Sequence, residues 1–165
     1  MAYFEDLSAY AYSGYFSSGE ALNVGWLDSS HVFEKAPPTE ELLDVLWAVC
    51  TVSVARSRGF HLCDLCTANN LVIEQRYDHK LILGGAEIRV FSNDGRVYAS
   101  PNLIYHYVRV HNYKPPNEFI SALMEGGGIL NERYFENLVK LDLEWKPTTP
   151  ANEDSVISPV PVPSP

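Results

Sequence analysis

The sequence has little positive charge. Of its 165 residues only 12 are Lys or Arg, against 21 Asp or Glu, so the net charge is −9. Nucleic-acid-binding proteins draw most of their affinity from basic side chains on phosphates, and this composition therefore argues against general nucleic-acid binding. Hydrophobic residues still make up 46% of the chain, which excludes intrinsic disorder and is enough for one domain with its own core.

Membrane and export signals are also missing from the sequence. Its apolar runs all fall well short of the roughly 18 residues that a membrane-spanning helix needs. The opening segment, residues 1–6, contains neither the basic region nor the apolar region of a secretory signal. We therefore expect a cytoplasmic protein that has no membrane partner.

The sequence contains only three cysteines, an odd count that argues against a disulfide framework. Cys50 lies in the apolar run 46–50 and is predicted to be a buried core residue. Cys63 and Cys66 form a Cys-x-x-Cys pair, which fits metal ligands, a redox pair or ordinary loop and core cysteines. A redox pair usually precedes a helix, and residues 67–70 (Thr-Ala-Asn-Asn) are a poor helix start, so the metal interpretation is favoured.

Two histidines form a second pair of candidate ligands. Zinc sites of the Cys2His2 type combine C-x2-4-C with H-x3-5-H, and His106 and His111 match the second half. Five residues rotate an ideal helix through about 500°, so these two side chains do not share a helix face. They converge only if the last helical turn loosens. His61, which precedes Cys63 by two residues, is the main competitor for the fourth ligand position.

The spacing between the two pairs predicts the kind of metal site. Cys66 and His106 are separated by the 39 residues 67–105, against about 12–15 in a DNA-reading finger. We predict a structural zinc ion that clips the loop after the first helix to the end of the second helix, across a β-sheet. The four ligands Cys63, Cys66, His106 and His111 would fill a tetrahedral zinc and leave no position for a catalytic water.

Hydrophobic patterning predicts a single α+β domain over residues 1–146. We expect a small antiparallel sheet with a hairpin turn at residues 93–95, packed by about four helices. Glu87 alternates with Ile88 and Val90 and is predicted to lie on the solvated face of its strand. The predicted strands are 22–28, 71–73, 81–83, 86–91 and 96–99, and the predicted helices begin at Thr39, at Ser100-Pro101, after Pro116 and near Glu132.

The C-terminal residues 147–165 differ in composition from the rest of the chain. They contain six prolines among 19 residues and no Lys, Arg or aromatic residue. Such a segment lacks both the hydrogen-bond donors and the apolar mass needed for packing. We therefore predict that residues 147–165 form a disordered, extended tail outside the domain.

Several segments resemble a family of small bacterial zinc-binding proteins of unknown function. The resemblance rests on an upstream Cys-x-x-Cys and a downstream signature, P-x-x-x-x-HYV-x-x-H followed by P-x-x-F, which begins here at Pro101 and ends at Phe119. It covers roughly residues 3–125. The resemblance implies that Cys63, Cys66, His106 and His111 bind zinc, and it implies no particular activity.

These observations favour a non-enzymatic, zinc-stabilised acidic binding protein, such as an immunity protein, an inhibitor or an adaptor. The sequence lacks the G-x-S-x-G, Walker and G-x-G-x-x-G motifs and the H-x-E…P-C-x-x-C signature of zinc deaminases. Its acidity suits a basic protein partner, for example a nuclease toxin, although it also serves solubility.

A zinc-dependent hydrolase-type enzyme is the alternative function. It would hold an open metal site at His61, Cys63 and Cys66, with water in the fourth position and Glu87 or Asp94 as a base. Reading of DNA by a finger is disfavoured, because the helix with the two histidines carries Arg109 as its only Lys or Arg, and a base-reading helix needs several cations.

Overall fold

The computed structural model describes residues 2–11, 21–125 and 130–151. These residues form four α-helices and seven short β-strands, which confirms the predicted α+β class. In chain order they are β1 (Ala21–Asn23), α1 (Glu40–Cys50), β2 (Val52–Val54), β3 (Val72–Arg76), β4 (His79–Leu83), β5 (Glu87–Phe91), β6 (Val97–Pro101), α2 (Ile104–His111), α3 (Asn117–Glu125), α4 (Glu132–Lys140) and β7 (Trp145–Pro147).

Five of the strands form one sheet, in the order β1-β6-β5-β2-β7. Strands β5 and β6 form the hairpin predicted around residues 93–95 and pair antiparallel. Strand β1 joins β6 in parallel, so the sheet is mixed and not purely antiparallel as expected. Strands β3 and β4 form a separate two-stranded hairpin. This hairpin and helix α2 supply the surroundings of the candidate site.

Helix α1 begins where the sequence predicts it. The backbone N–H of Leu42 donates to Thr39 Oγ1 at 3.1 Å, so Thr39 is the N-cap and the two glutamates after it lie in the positive first turn. The helix contacts α2, α3 and β5 with its apolar face and so covers the central hydrophobic core. The buried side chains of α1 are Leu42, Leu43, Leu46, Trp47, Val49 and Cys50.

The predicted start of the second helix at Ser100-Pro101 is wrong. Both residues belong to β6, where Ser100 lies opposite Ile88 and Pro101 lies opposite Glu87. Helix α2 begins three residues later, at Ile104, and has no side-chain cap. A Ser-Pro pair is a local helix-start signal, but here strand pairing with β5 determines the conformation.

The predicted solvent exposure of Glu87 is also wrong. Its carboxylate is buried and accepts hydrogen bonds from the Tyr10 hydroxyl at 2.9 and 2.8 Å and from Arg89 Nη1 at 2.7 Å. Burial raises the pKa of Glu87, while the Arg89 charge and the hydrogen bonds from Arg89 and Tyr10 lower it. The N-terminal segment that carries Tyr10 therefore covers the face of β5 that the alternation assigned to solvent.

The ordered domain continues beyond the predicted boundary at residue 146. Trp145–Pro147 is strand β7, and Thr148 is only 4% exposed and donates through Oγ1 to the carbonyl of Cys50. The amide of Ala151 donates to the carbonyl of Lys80 at 3.2 Å. Residues 147–151 thus belong to the fold. The rest of the predicted tail, 152–165, lies outside the described residues.

Candidate metal centre

The four predicted ligand residues come together in one cluster. The two sulfurs of Cys63 and Cys66 and one ring nitrogen each of His106 and His111 lie within 4.8 Å of one another. His111 Nε2 is 3.3 Å from Cys63 Sγ and 3.4 Å from Cys66 Sγ, and Cys66 Sγ is 3.2 Å from His106 Nε2. Bonds of zinc length in a tetrahedron give a sulfur–nitrogen edge of about 3.5 Å. The cluster therefore has the dimensions of a Cys2His2 metal site.

The cysteines lie in a tight turn of the connection between β2 and β3. The amide of Cys66 donates to the carbonyl of Cys63 at 3.3 Å, and this turn brings both sulfurs to one side. Burial raises the pKa of Cys63 to about 11, and the amides of Leu65 and Cys66, which donate toward its sulfur, only partly oppose that shift. Burial thus favours the neutral thiol of Cys63, and a bound metal ion would displace its proton.

A backbone hydrogen bond positions the segment before the cysteines. The amide of His61 donates to the carbonyl of Gly84 at 2.8 Å. Gly84 has a φ of +97°, and a Cβ there would lie 2.2 Å from the carbonyl oxygen of His61, so the close approach requires glycine. Among the described residues, the cluster contains the two helix histidines and not His61. The described residues thus bring His106 and His111, and not His61, close to the two cysteine sulfurs.

Helix α2 ends in a wide turn that lets its two histidines converge. The amide of Asn112 donates to the carbonyl of Tyr107, five residues back, whereas a regular α-helical bond spans four. Asn112 itself is left-handed with a φ of 54°, a conformation that Asn tolerates well. The imidazole rings of His106 and His111 consequently lie 5.1 Å apart, centre to centre. This is the loosening of the last turn that the spacing of the histidines requires.

A buried carboxylate that the sequence did not predict holds one of the histidines in place. Glu74 on β3 has a side chain only 2% exposed, and its Oε1 lies 2.6 Å from His106 Nδ1. Its other oxygen accepts a hydrogen bond from Arg109 Nε at 2.7 Å and lies 2.6 Å from Arg109 Nη2 in an ion pair. With Nδ1 engaged by Glu74, His106 presents Nε2 to the cluster. Such a carboxylate–histidine pair orients a metal ligand and increases its basicity.

Nothing in the sequence around Glu74 marks it as the hydrogen-bond partner of His106. Strand β3 alternates, with Val72 and Glu74 buried and Ile73 and Gln75 exposed. The sequence alone makes Ile73 a natural inward residue of this strand, yet Ile73 is 46% exposed. The inward position of a carboxylate is explained only by His106 and Arg109, which lie more than 30 residues further along the chain.

Replacing Glu74 with glutamine is expected to weaken metal binding by about 10–100-fold, while the metal is still bound at saturation. The amide keeps the size of the side chain but removes the negative charge that stabilises a polarised His106. Competition with a chromophoric zinc chelator measures the affinity. Glu34→Gln is the matched control, because Glu34 forms a surface ion pair with Lys114. Equal zinc affinities for Glu74→Gln and the control would contradict this role of Glu74.

Comparison with known proteins gives a family match. The model of the family described as Domain of unknown function (DUF7919) matches residues 2–124, about three quarters of the chain. No curated protein and no solved structure matches the sequence significantly. The matched range includes all four residues of the cluster and also Glu74. Within the described residues, no helix is both long and apolar enough to cross a bilayer.

Proposed function

The chain belongs to the family described as Domain of unknown function (DUF7919), and for it we propose a non-enzymatic role. The domain binds one structural Zn²⁺ through Cys63, Cys66, His106 and His111, and the folded domain binds a protein partner. The single observation that carries the metal site is the convergence of two thiols and two imidazoles within 4.8 Å. The net charge of −9 supports a basic protein partner. Immunity proteins, inhibitors and adaptors are examples of such non-enzymatic binding proteins.

The ligand chemistry supports zinc as the metal. Two thiolates and two imidazoles in a compact cluster are a common structural zinc set, and the hard cations Mg²⁺ and Ca²⁺ prefer oxygen ligands. Two thiolates would balance the charge of Zn²⁺. The neighbouring Glu74 and Arg109 balance each other. The bound centre would therefore be neutral, which suits its mostly buried position.

The same set supports a structural role over a catalytic one. Four protein ligands leave a tetrahedral zinc without a position for water. The two carboxylates considered as bases in the enzyme alternative have other partners: Glu87 is bound by Tyr10 and Arg89, and Asp94 by Ser92 and Arg96 in an exposed turn. The metal would instead join the β2–β3 connection to helix α2. All three cysteines are free thiols, which is compatible with the proposed cytoplasmic location.

Metal analysis tests the proposal directly. Native mass spectrometry of protein purified without added zinc is expected to give one zinc per chain for the wild type. Cys63→Ser and His106→Ala are expected to lose it, because each removes one of four ligands, and His61→Ala is expected to keep it. A metal-free wild type would refute the zinc site. Zinc retained in His106→Ala but lost in His61→Ala would instead revive the open, catalytic site.

A further inference from the structure

An exposed group of apolar side chains lies where helix α4 faces strand β7. Val139 is 70% exposed and Trp145 is 43% exposed. The rings of Phe135 and Trp145 contact each other, with their centres 4.6 Å apart. Phe135 and Val139 are one helical turn apart. We refer to Phe135, Val139 and Trp145 as the α4–β7 patch.

Val139 and Trp145 lie outside the hydrophobic core, whereas Phe135 is half-buried and also packs against it. Helix α4 already turns Tyr134 and Leu138 inward, where they are buried. Val139 points away from that buried stripe and separates two shallow depressions on the surface, one toward Phe135 and the other toward Trp145. Contiguous apolar surface with a polar rim is typical of an interaction site, whereas single exposed apolar residues are not.

The rim of the patch is acidic. Glu132, Glu136 and Lys140 border the depression beside Phe135, and Asp142, Glu144 and Lys146 border the one beside Trp145. The four acids and two lysines are exposed, and none takes part in an ion pair seen among the described residues. The rim thus carries a net charge of about −2 at neutral pH. Its carboxylates are free to meet cationic groups of a partner.

The backbone beside the patch is a poor place for an added strand. Strand β7 is the last strand of the sheet in the described residues, so one of its edges is open. Pro147 has no N–H to offer there, and its carbonyl already lies 3.5 Å from Arg56 Nη1. Proline on an edge strand prevents pairing with another chain. Recognition at this face therefore depends on side chains, in the depressions beside Val139.

We infer that the α4–β7 patch is the surface that binds the protein partner, and that the partner presents an aliphatic or aromatic side chain flanked by Lys or Arg. The apolar side chain fits beside Val139 and Trp145, and the basic groups meet the acidic rim. A second copy of this chain fits poorly, because each copy carries a net charge of −9. This inference rests on the binding role in the proposed function, and not on the metal.

Selection of peptides on the full-length, zinc-loaded protein tests the inference. The probe is a random 12-residue peptide library displayed on phage, and peptides enriched by the wild type are then synthesised and titrated. Enriched sequences are expected to combine basic residues with Trp, Phe, Leu or Ile. Val139→Asp and the double variant Glu136→Lys/Glu144→Lys are each expected to weaken their binding at least tenfold. High salt is expected to weaken it as well.

Two matched variants separate the patch from general effects. Val32→Asp changes a fully exposed valine elsewhere, and Asp78→Lys reverses an exposed charge in the β3–β4 turn. Both are expected to bind the peptides as the wild type does. For every variant, circular dichroism reports on folding and the zinc content reports on the metal. The inference is overturned if no peptide is enriched, if the patch variants bind like the controls, or if sedimentation shows a dimer that Val139→Asp dissociates.

Discussion

Replacing Cys66 with serine is expected to lower the melting temperature by about 8–16 °C. A metal held at a free concentration about 1,000 times its Kd stabilises the folded state by about 4 kcal/mol. For a domain of this size each kcal/mol corresponds to about 2–4 °C. The metal would join the Cys turn in the β2–β3 connection to α2, and without it the two segments depend on the Glu74 contacts and local packing. A zinc chelator is expected to lower the wild-type melting temperature to a similar extent.

Thermal unfolding followed by circular dichroism, with and without chelator, measures this effect. Cys50→Ala is the matched cysteine control. Cys50 is fully buried, so its replacement costs packing energy, but the sensitivity of that variant to chelator should be unchanged. Cys66→Ser should show no further response to chelator. If the chelator leaves the wild-type melting temperature unchanged, no metal stabilises the folded domain.

The four residues of the cluster could be predicted from the sequence because the signal for each pair is local. A Cys-x-x-Cys turn brings two sulfurs together, and the end of one helix brings two imidazoles together. The preference of zinc for a Cys2His2 set then predicts that the two pairs meet. Glu74 could not be predicted in the same way. Its contact with His106 joins positions 32 residues apart, and no pattern in β3 marks it. The contact between Glu74 and His106 forms only when the β3–β4 hairpin packs against α2, so no local pattern in the sequence predicts it.

The errors in the predicted fold have the same physical origin. Ser100 and Pro101 carry a valid local signal for a helix start, but pairing with β5 places them in a strand. Thr148 looks like part of a polar, proline-rich tail, yet its hydroxyl lies 2.7 Å from that of Ser53, 95 residues earlier in the chain. Helices α1, α3 and α4 were predictable because their apolar periodicity and their starts lie within one segment. Contacts between distant segments are not encoded in any local pattern.

Arg89→Met is expected to destabilise the domain by about 3–5 kcal/mol, because it leaves the buried carboxylate of Glu87 without its cationic partner. Arg89 is 2% exposed and donates to Glu87 at 2.7 Å, and its guanidinium also lies 4.9 Å from the centre of the Tyr10 ring. Methionine fills a similar volume, so the loss is mainly electrostatic. The melting temperature should fall by about 6–20 °C. Arg96→Met, which breaks the exposed ion pair with Asp94, should change it little.

The pH dependence of this loss identifies Glu87 as its source. Burial raises the pKa of Glu87 above its ordinary value of 4.5, so the folded state binds this proton more tightly than the unfolded state does. The contribution of Glu87 to stability is therefore fully present below pH 4.5 and is lost as the pH rises through the folded-state pKa. Arg89 opposes that rise in pKa, so its removal should make the loss larger. The gap in melting temperature between wild type and Arg89→Met should consequently widen from pH 4.5 toward pH 7.

The double variant Glu87→Gln/Arg89→Met provides the decisive comparison for this pair. Glutamine retains an oxygen that can accept from the Tyr10 hydroxyl, but it cannot ionise. The double variant should therefore be more stable than Arg89→Met at pH 7. Its difference in melting temperature from wild type should not grow steeply with pH, whereas that of Arg89→Met should. Suppose instead that the two variants are destabilised equally, and by the same amount at pH 5 as at pH 7. The destabilisation then comes from lost packing of the arginine side chain. The Glu87 carboxyl group would then already be protonated in the folded domain, and the Tyr10 hydroxyl would be sufficient as its hydrogen-bond partner.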